Sequence, residues 1–293
     1  MTIKSLSDAI YLRNHLIELL EQADFECMAA ARPGLLTVLV AGGGFAGAET
    51  IVGINDFLRE SVRFYRHLSK DWIKVILVHP GQAILPELGP KLGEYAQKKL
   101  ARRKVEIRLN TKVVRVDEHA VYLSDGECIP TQTVIWTAGT SPNPLVGMLP
   151  CKQDRGRIVA NEYLELPDWP GVWALGDCSS IVDRDTGRSF PPTAQHAVRQ
   201  GRIVAKNVTA AIRGGPKTAF SFSTLGLLAA TGRRTGVANI LGAKFSGFVA
   251  WFLWRTIYLS KLPQSEKKLR VALDWTLDLL FSKDIVSFLD RRG

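Results

Sequence analysis

The chain has 293 residues, 46% hydrophobic and 23% charged, which excludes a disordered or fibrous protein and gives room for a sizeable core and about two domains. Its four cysteines, Cys27, Cys128, Cys151 and Cys178, are scattered without a CxxC, so spacing offers no zinc site or redox disulfide and fits a reducing compartment. The formal charge of +10 sits at one end: residues 199–293 carry 16 basic and 5 acidic side chains, which directs attention to nucleic acid or an anionic membrane surface as partner.

In chain order, the first sixteen residues contain no apolar run of the signal-peptide kind. Ser7 is expected to cap a helix that lines up Ala9, Leu12, Leu16, Leu19 and Leu20 on one face. Arg32-Pro33-Gly34 is expected to end it and introduce a strand over Leu35–Val40. That strand leads into Gly42-x-Gly44-x-x-Gly47 and then a helix from about Ala46, reaching towards Arg66. Strand, glycine turn and helix in that order make a dinucleotide-binding unit: Gly42 for the tight turn, Gly44 for backbone approach to a pyrophosphate, Gly47 for close helix packing. Ile73–Val78 reads as the second strand, ending at His79, and residues 92–103 as a second helix. Short strands are expected at Val105–Leu109, Val113–Val116 and Val121–Leu123, and a buried one over Thr133–Ala138 ending at Gly139.

From Ser141 the sequence turns loop-rich, with Pro142, Pro144 and Pro150. Gly171–Leu175 reads as a short strand leading to Gly176-Asp177, and Pro191-Pro192-Thr193 opens a helix. Phe245–Trp254 is strongly apolar but ten residues long, half of what a membrane span of about 20 needs. Beyond Pro263, Leu269, Leu273, Leu277 and Leu280 share a helical face, with Lys267, Lys268 and Arg270 at its start. Trp251, Trp254 and Trp275 add interfacial anchors, so this tail is expected to lie on a membrane surface rather than pack on a partner. Its aliphatic runs and the lack of a recognisable module argue against nucleic acid.

The motifs VAGGGFAGAE, VIWTAGTSPNP, VWALGDCSS and PPTAQHAVRQG, with the amphipathic C-terminus, make the chain resemble the type II NADH dehydrogenases, the non-proton-pumping NADH:quinone oxidoreductases of the two-dinucleotide-fold flavoproteins. The resemblance implies an α/β fold in which a Rossmann-like NADH domain (35–139) is nested in an incomplete FAD domain (1–34 and 140–244), followed by amphipathic helices (245–293). It implies FAD and NADH as cofactors, a quinone as electron acceptor and no metal. It places Gly42, Gly44, Gly47, Glu49, His79 and Gly139 at NADH, with Glu49 beside the nicotinamide. Gly176, Asp177 and Ala194 fall at FAD, and Gln195 and Arg199 on the quinone side. The protein would sit peripherally on the cytoplasmic face of the inner membrane, with a homodimer as a further partner. The chemistry is the cofactors', so no acid or nucleophile is expected.

The sequence departs from the family in three ways. Arg199, with Gln200 beside it, replaces the family's second glutamine. His79 stands where an NADH-specific fold offers an acid to the ribose 2′-OH, which leaves NADH and NADPH both open. The family's first GxGxxG is not in this sequence, so the resemblance implies truncation by roughly a hundred residues and weak flavin retention. A ferredoxin or disulfide reductase fits less well, because the redox CxxxxC is missing. A non-catalytic, membrane-peripheral nucleotide-binding protein is the alternative of a different class.

Overall fold

The computed structural model describes residues 1–26, 32–139, 141–281 and 285–288. Cys27 and the side chain of Leu280, both singled out from the sequence, lie outside the described part. Contacts divide the chain into two units, one built from residues 1–139 and 226–293, the other from 140–225.

The first unit opens with helix α1 (Leu6–Phe25). Its cap is Ser5, not Ser7: the Ser5 hydroxyl accepts from Asp8 N–H while the Asp8 carboxylate accepts from Ser5 N–H, a reciprocal box that Ser7, inside the first turn, cannot form. A short helix α2 (Arg32–Leu36) then replaces the expected start of the strand. Pro33 suits a helix's first turn, and the Thr37 hydroxyl donates to the Pro33 carbonyl at 2.7 Å. Strand β1 (Thr37–Ala41) therefore begins two residues later than the sequence suggests and is buried throughout.

A parallel sheet forms around it in the order β3-β2-β1-β7, with β2 Lys74–Val78, β3 Val105–Arg108 and β7 Thr133–Trp136. Crossover helices α3 (Phe45–Ser61) and α4 (Pro90–Arg102) connect the first three strands. Alternation along the strands divides their side chains between two layers. Val38, Val40, Val75 and Leu77 pack among the helices. Leu39, Ala41, Ile76 and Val78 pack on an antiparallel meander of β4 (Val113–Val116), β5 (Ala120–Leu123) and β6 (Cys128–Pro130). Two lengths read from the sequence shorten. The helix after the glycine turn stops at Ser61 and continues as one 3₁₀ turn, and β7 stops at Trp136. β7 is also not fully buried, since it ends the four-stranded ladder and its Trp136 ring is 44% exposed.

The second unit contains α5 (Pro144–Gly147), a small sheet of β8 (Gln153–Asp154), β9 (Arg157–Ala160) and β10 (Ser179–Ile181), and the long helix α6 (Ala194–Arg213). Ile158, Leu164, Leu166, Ala174, Ile181 and Phe220 form its core. The expected strand at Gly171–Leu175 reduces to a single bridge, Trp173 to Glu165. Gly171 is left-handed at φ +84° and gives its N–H to the Glu165 carboxylate, which spends the donor a ladder would use.

The chain then returns to the first unit with three antiparallel strands that the sequence did not reveal, β11 (Gly226–Gly232), β12 (Thr235–Ile240) and β13 (Ala243–Gly247). Ala229 and Val237 join the core of α3 and α4. The apolar run from Phe245 is split: Gly247, at φ +73°, ends β13, and helix α7 (Phe248–Lys261) starts after it. Helix α8 (Ser265–Leu280) follows. Among the described residues no helix is long and apolar enough to cross a membrane.

Candidate functional site

The turn between β1 and α3 is built by close approach. Gly42 takes φ +115°, and a Cβ there would meet the Ala138 nitrogen at 2.7 Å. A Cβ on Gly47 would lie 1.7 Å from the Gly42 carbonyl oxygen and 2.8 Å from the Thr137 hydroxyl. That hydroxyl donates to the carbonyls of Ala41 and Gly42, tying the end of β7 to the turn. Gly44 differs: it is the N-cap of α3 with ordinary extended dihedrals, and a Cβ there would meet nothing within 4 Å. The open space stands over a helix N-terminus whose first-turn amides have no intrahelical acceptor, the arrangement that receives a pyrophosphate.

Glu49 lies one turn into α3. Its Oε1 accepts two bonds of 3.1 Å, from the Ala230 N–H of β11 and the indole N–H of Trp254 on α7. Burial raises the pKa of its carboxyl above the ordinary glutamate value, and the two donors work against that rise. A cavity of about 530 Å³ opens beside it, lined among others by Asp56, Arg233, Trp254 and Trp275. The Arg255 guanidinium sits between the rings of Trp251 and Trp275, at 5.0 and 4.9 Å.

His79 follows β2, its N–H donating to the Arg108 carbonyl. Its Nδ1 accepts from the Gly43 N–H at 3.1 Å, which leaves the proton on Nε2 and requires a neutral ring. Burial lowers its pKa in agreement, opposed by the Glu87 charge. The ring borders a cleft of about 780 Å³ that also takes in Gln82, Pro90 and Lys112. Gly139 is left-handed at φ +80° and closes the first segment of this unit.

In the second unit, Gly176 is left-handed at φ +72° and gives its N–H to the buried side chain of Gln200 at 2.8 Å. Asp177 follows in a 3₁₀ turn with its side chain exposed. Ala194 is the first residue of α6 and also exposed. Arg199 donates to the Gln195 carbonyl at 2.9 Å and stacks over Phe222 at 4.0 Å, so its charge is pinned to the first turns of the helix. Beside it His196 is bonded to the Thr193 hydroxyl and enclosed by Phe190, Phe220 and Phe222. Burial, then the neighbouring Arg199, lowers its pKa, so the ring stays neutral.

The structure thus collects Gly42, Gly44, Gly47, Glu49 and His79 on one unit and Gly176, Asp177, Ala194, Gln195 and Arg199 on the other. The sequence did not reveal the roles of Thr137, Gln200, Ala230 and Trp254. Gln200 had a local signal in its neighbour Arg199, whereas Trp254 lies far along the chain from Glu49 and reads only as an interfacial anchor.

The pyridine nucleotide-disulphide oxidoreductase family matches residues 8–201, and the NDH2 C-terminal domain matches residues 225–284. A probable NADH dehydrogenase of Dictyostelium discoideum is 30% identical over 98% of this chain and 64% of its own length. A type II NADH:quinone oxidoreductase of Mycobacterium tuberculosis is 30% identical over 96% of this chain and 62% of its own. The chain therefore spans just under two thirds of these relatives. In fold it is similar to NDH2 of Plasmodium falciparum, solved in complex with NADH, at a TM-score of 0.87 and 16% identity, covering 97% of this chain and 74% of that one.

Proposed function

The chain belongs to the pyridine nucleotide-disulphide oxidoreductases, in the type II NADH dehydrogenase branch with its NDH2 C-terminal domain, and from that premise we propose that it serves flavin-dependent transfer of electrons from NADH to a quinone. The observation that carries this reading is the turn at Gly42–Gly47, where Gly42 and Gly47 are filled by close approach and Gly44 alone is left open over the helix terminus. There the amides of the first turn of α3 hold the NADH pyrophosphate, Glu49 orients the nicotinamide, and His79 faces the adenosine ribose. The donor set suits NADH. For FAD, the left-handed Gly176, the exposed Asp177 and the exposed start of α6 at Ala194 suit a ribitol and ring edge. When bound, FAD supplies acceptance of a hydride from the nicotinamide and release of the electrons to a quinone. Gln195 then presents to the quinone, with Arg199 placing a fixed positive charge beside it.

We assign residues 35–139 to the NADH domain, 1–34 and 140–244 to the FAD domain, and 245–293 to membrane association. Support for the last comes from the exposed side chains of Phe248, Phe252, Leu269, Leu273 and Leu277 next to basic residues. The protein then works peripherally, on the cytoplasmic face, with a homodimer as a further assembly. Calorimetric titration of the purified chain with NADH tests the reading: saturation in the range of about 1 μM to 1 mM is expected, and no saturation by about 1 mM overturns it.

A further inference from the structure

We propose that Trp254, on the C-terminal helix α7, is a positioning residue for Glu49 at the nicotinamide end of the NADH site. The inference rests on the reading that Glu49 meets the nicotinamide. Three observations carry it. Both hydrogen bonds to Glu49 end on the same oxygen, Oε1, and both donors come from the C-terminal part of the chain, the Ala230 amide and the Trp254 indole. That fixes the carboxylate plane and leaves Oε2 with its acceptor capacity, the complement of the N–H2 donor of a nicotinamide carboxamide. Second, the indole is held on its own account: its ring lies 5.1 Å from Tyr258 and 6.0 Å from Trp275 of α8, within 27° of parallel to the latter. A clamped ring aims its N–H in one direction, where a flexible donor would not. Third, the pair links segments 205 residues apart, so no neighbouring residue in sequence can supply the same donor.

Physically, a buried carboxylate needs donors to stay charged, and Trp254 supplies one of the two. The other charged or titratable groups around it are Tyr258 and Arg255 from α7, Asp278 from α8, Arg13 from α1, Asp56 and Glu60 from α3, and Arg233 and Arg234 from the β11–β12 turn. Asp56, Glu60 and Asp278 are the other carboxyl groups lining this cavity. Their neutralisation in Asp56→Asn, Glu60→Gln and Asp278→Asn therefore serves as the control for the pH profile.

The test is a double-mutant cycle read by NADH affinity at pH 7 and across pH 5–8. Trp254→Phe keeps an aromatic ring and removes the donor, while Glu49→Gln keeps the Oε1 acceptor and removes the charge. Each single change is expected to weaken NADH binding about tenfold, the scale of one hydrogen bond to a charged group. The double variant should be no weaker than the singles. In Trp254→Phe the loss of affinity on acidification should start at a higher pH than in the parent, because the donor that favours the charged carboxylate is gone. An unchanged affinity in Trp254→Phe, or losses that simply add, overturns the proposal while leaving Glu49 at the nicotinamide. An unchanged affinity in Glu49→Gln overturns the reading beneath it instead. Should Trp254→Phe not fold, the parent chain gives the answer: its Trp254 indole N–H resonance must move on adding NADH, well beyond those of Trp72 and Trp169, and a stationary resonance overturns the proposal.

Discussion

Gly44→Ala and Gly47→Ala add the same methyl group to the same turn, three residues apart, and are expected to fail in opposite ways. At Gly47 the new carbon would sit 1.7 Å from the Gly42 carbonyl oxygen, and the Thr137 hydroxyl at 2.8 Å closes the other side. The obstacle is backbone rather than a mobile side chain, so helix and strand must separate. Overpacking of this kind costs up to about 3 kcal/mol, which at 2–4 °C per kcal/mol is a fall in Tm of about 6–12 °C. At Gly44 the added carbon meets nothing within 4 Å, and φ −75°, ψ −169° suits any residue. The weaker N-cap preference of alanine costs no more than about 1 kcal/mol. What the methyl occupies is the approach to the first-turn amides, where one or two bonds to a phosphate are worth about 1.5–3 kcal/mol each. Gly44→Ala should therefore unfold within about 4 °C of the parent and bind NADH at least about tenfold more weakly. Thermal unfolding and calorimetry on both variants decide the matter. A Gly44→Ala chain with full NADH affinity would refute the assignment of the pyrophosphate to this helix terminus, and a Gly47→Ala chain of unchanged Tm would refute the steric argument.

His79 should give a narrow preference for NADH over NADPH at pH 8, narrowing further by pH 6 as the ring gains charge, and a ratio above about 100 at both pH values, about 2.7 kcal/mol, would remove His79 as the discriminating residue. Because its folded pKa lies below 6.5 and protonation sets two donors against each other at Gly43, the unfolded chain binds the proton better. Stability from this group is thus complete above the window and falls as pH drops through the range just below 6.5, which the pH dependence of unfolding in a His79→Asn chain, missing that decline, would reveal. On the tail, replacing Leu269, Leu273 and Leu277, which are 64, 57 and 51% exposed, by Asn should leave Tm nearly unchanged and lower binding to anionic vesicles by about 100-fold, taking about 1 kcal/mol for each half-buried leucine. Undiminished co-sedimentation would move the membrane contact away from α8. Point substitutions serve better here than removing residues 245–293, since α7 buries Ala250 and bonds Glu49.

The parallel sheet and its glycine turn were legible because their signals are local: apolar runs, then glycines at the spacing a turn and a close contact demand. The strands over 226–247 were not legible. GLLAATG and TGVANI are rich in small residues and lack strict alternation, and their partners are each other and a helix far back in the chain. At Gly171–Leu175 the apolar letters were right for a strand, yet Glu165 intercepts the Gly171 amide. The same limit applies to the site. The identity of Glu49 follows from its place after Gly47, but its two donors at Ala230 and Trp254 are settled only by tertiary packing.

The first unit's two separate chain segments also set an order of events during synthesis. The face of α3 that β11 covers is made long before β11 exists: α3 ends at Ser61 and β11 starts at Gly226. At about 5–20 residues per second, a ribosome needs roughly 10–30 s to bridge that interval. Throughout it, the nascent sheet and its helices carry an apolar surface awaiting Ala229 and Val237, while the second unit is already emerging. The carboxylate of Glu49 has neither of its partners in that interval, so the two bonds that hold it are among the last contacts to form. A nascent chain stalled before Gly226 should be a chaperone client, and one released after Lys261 should not.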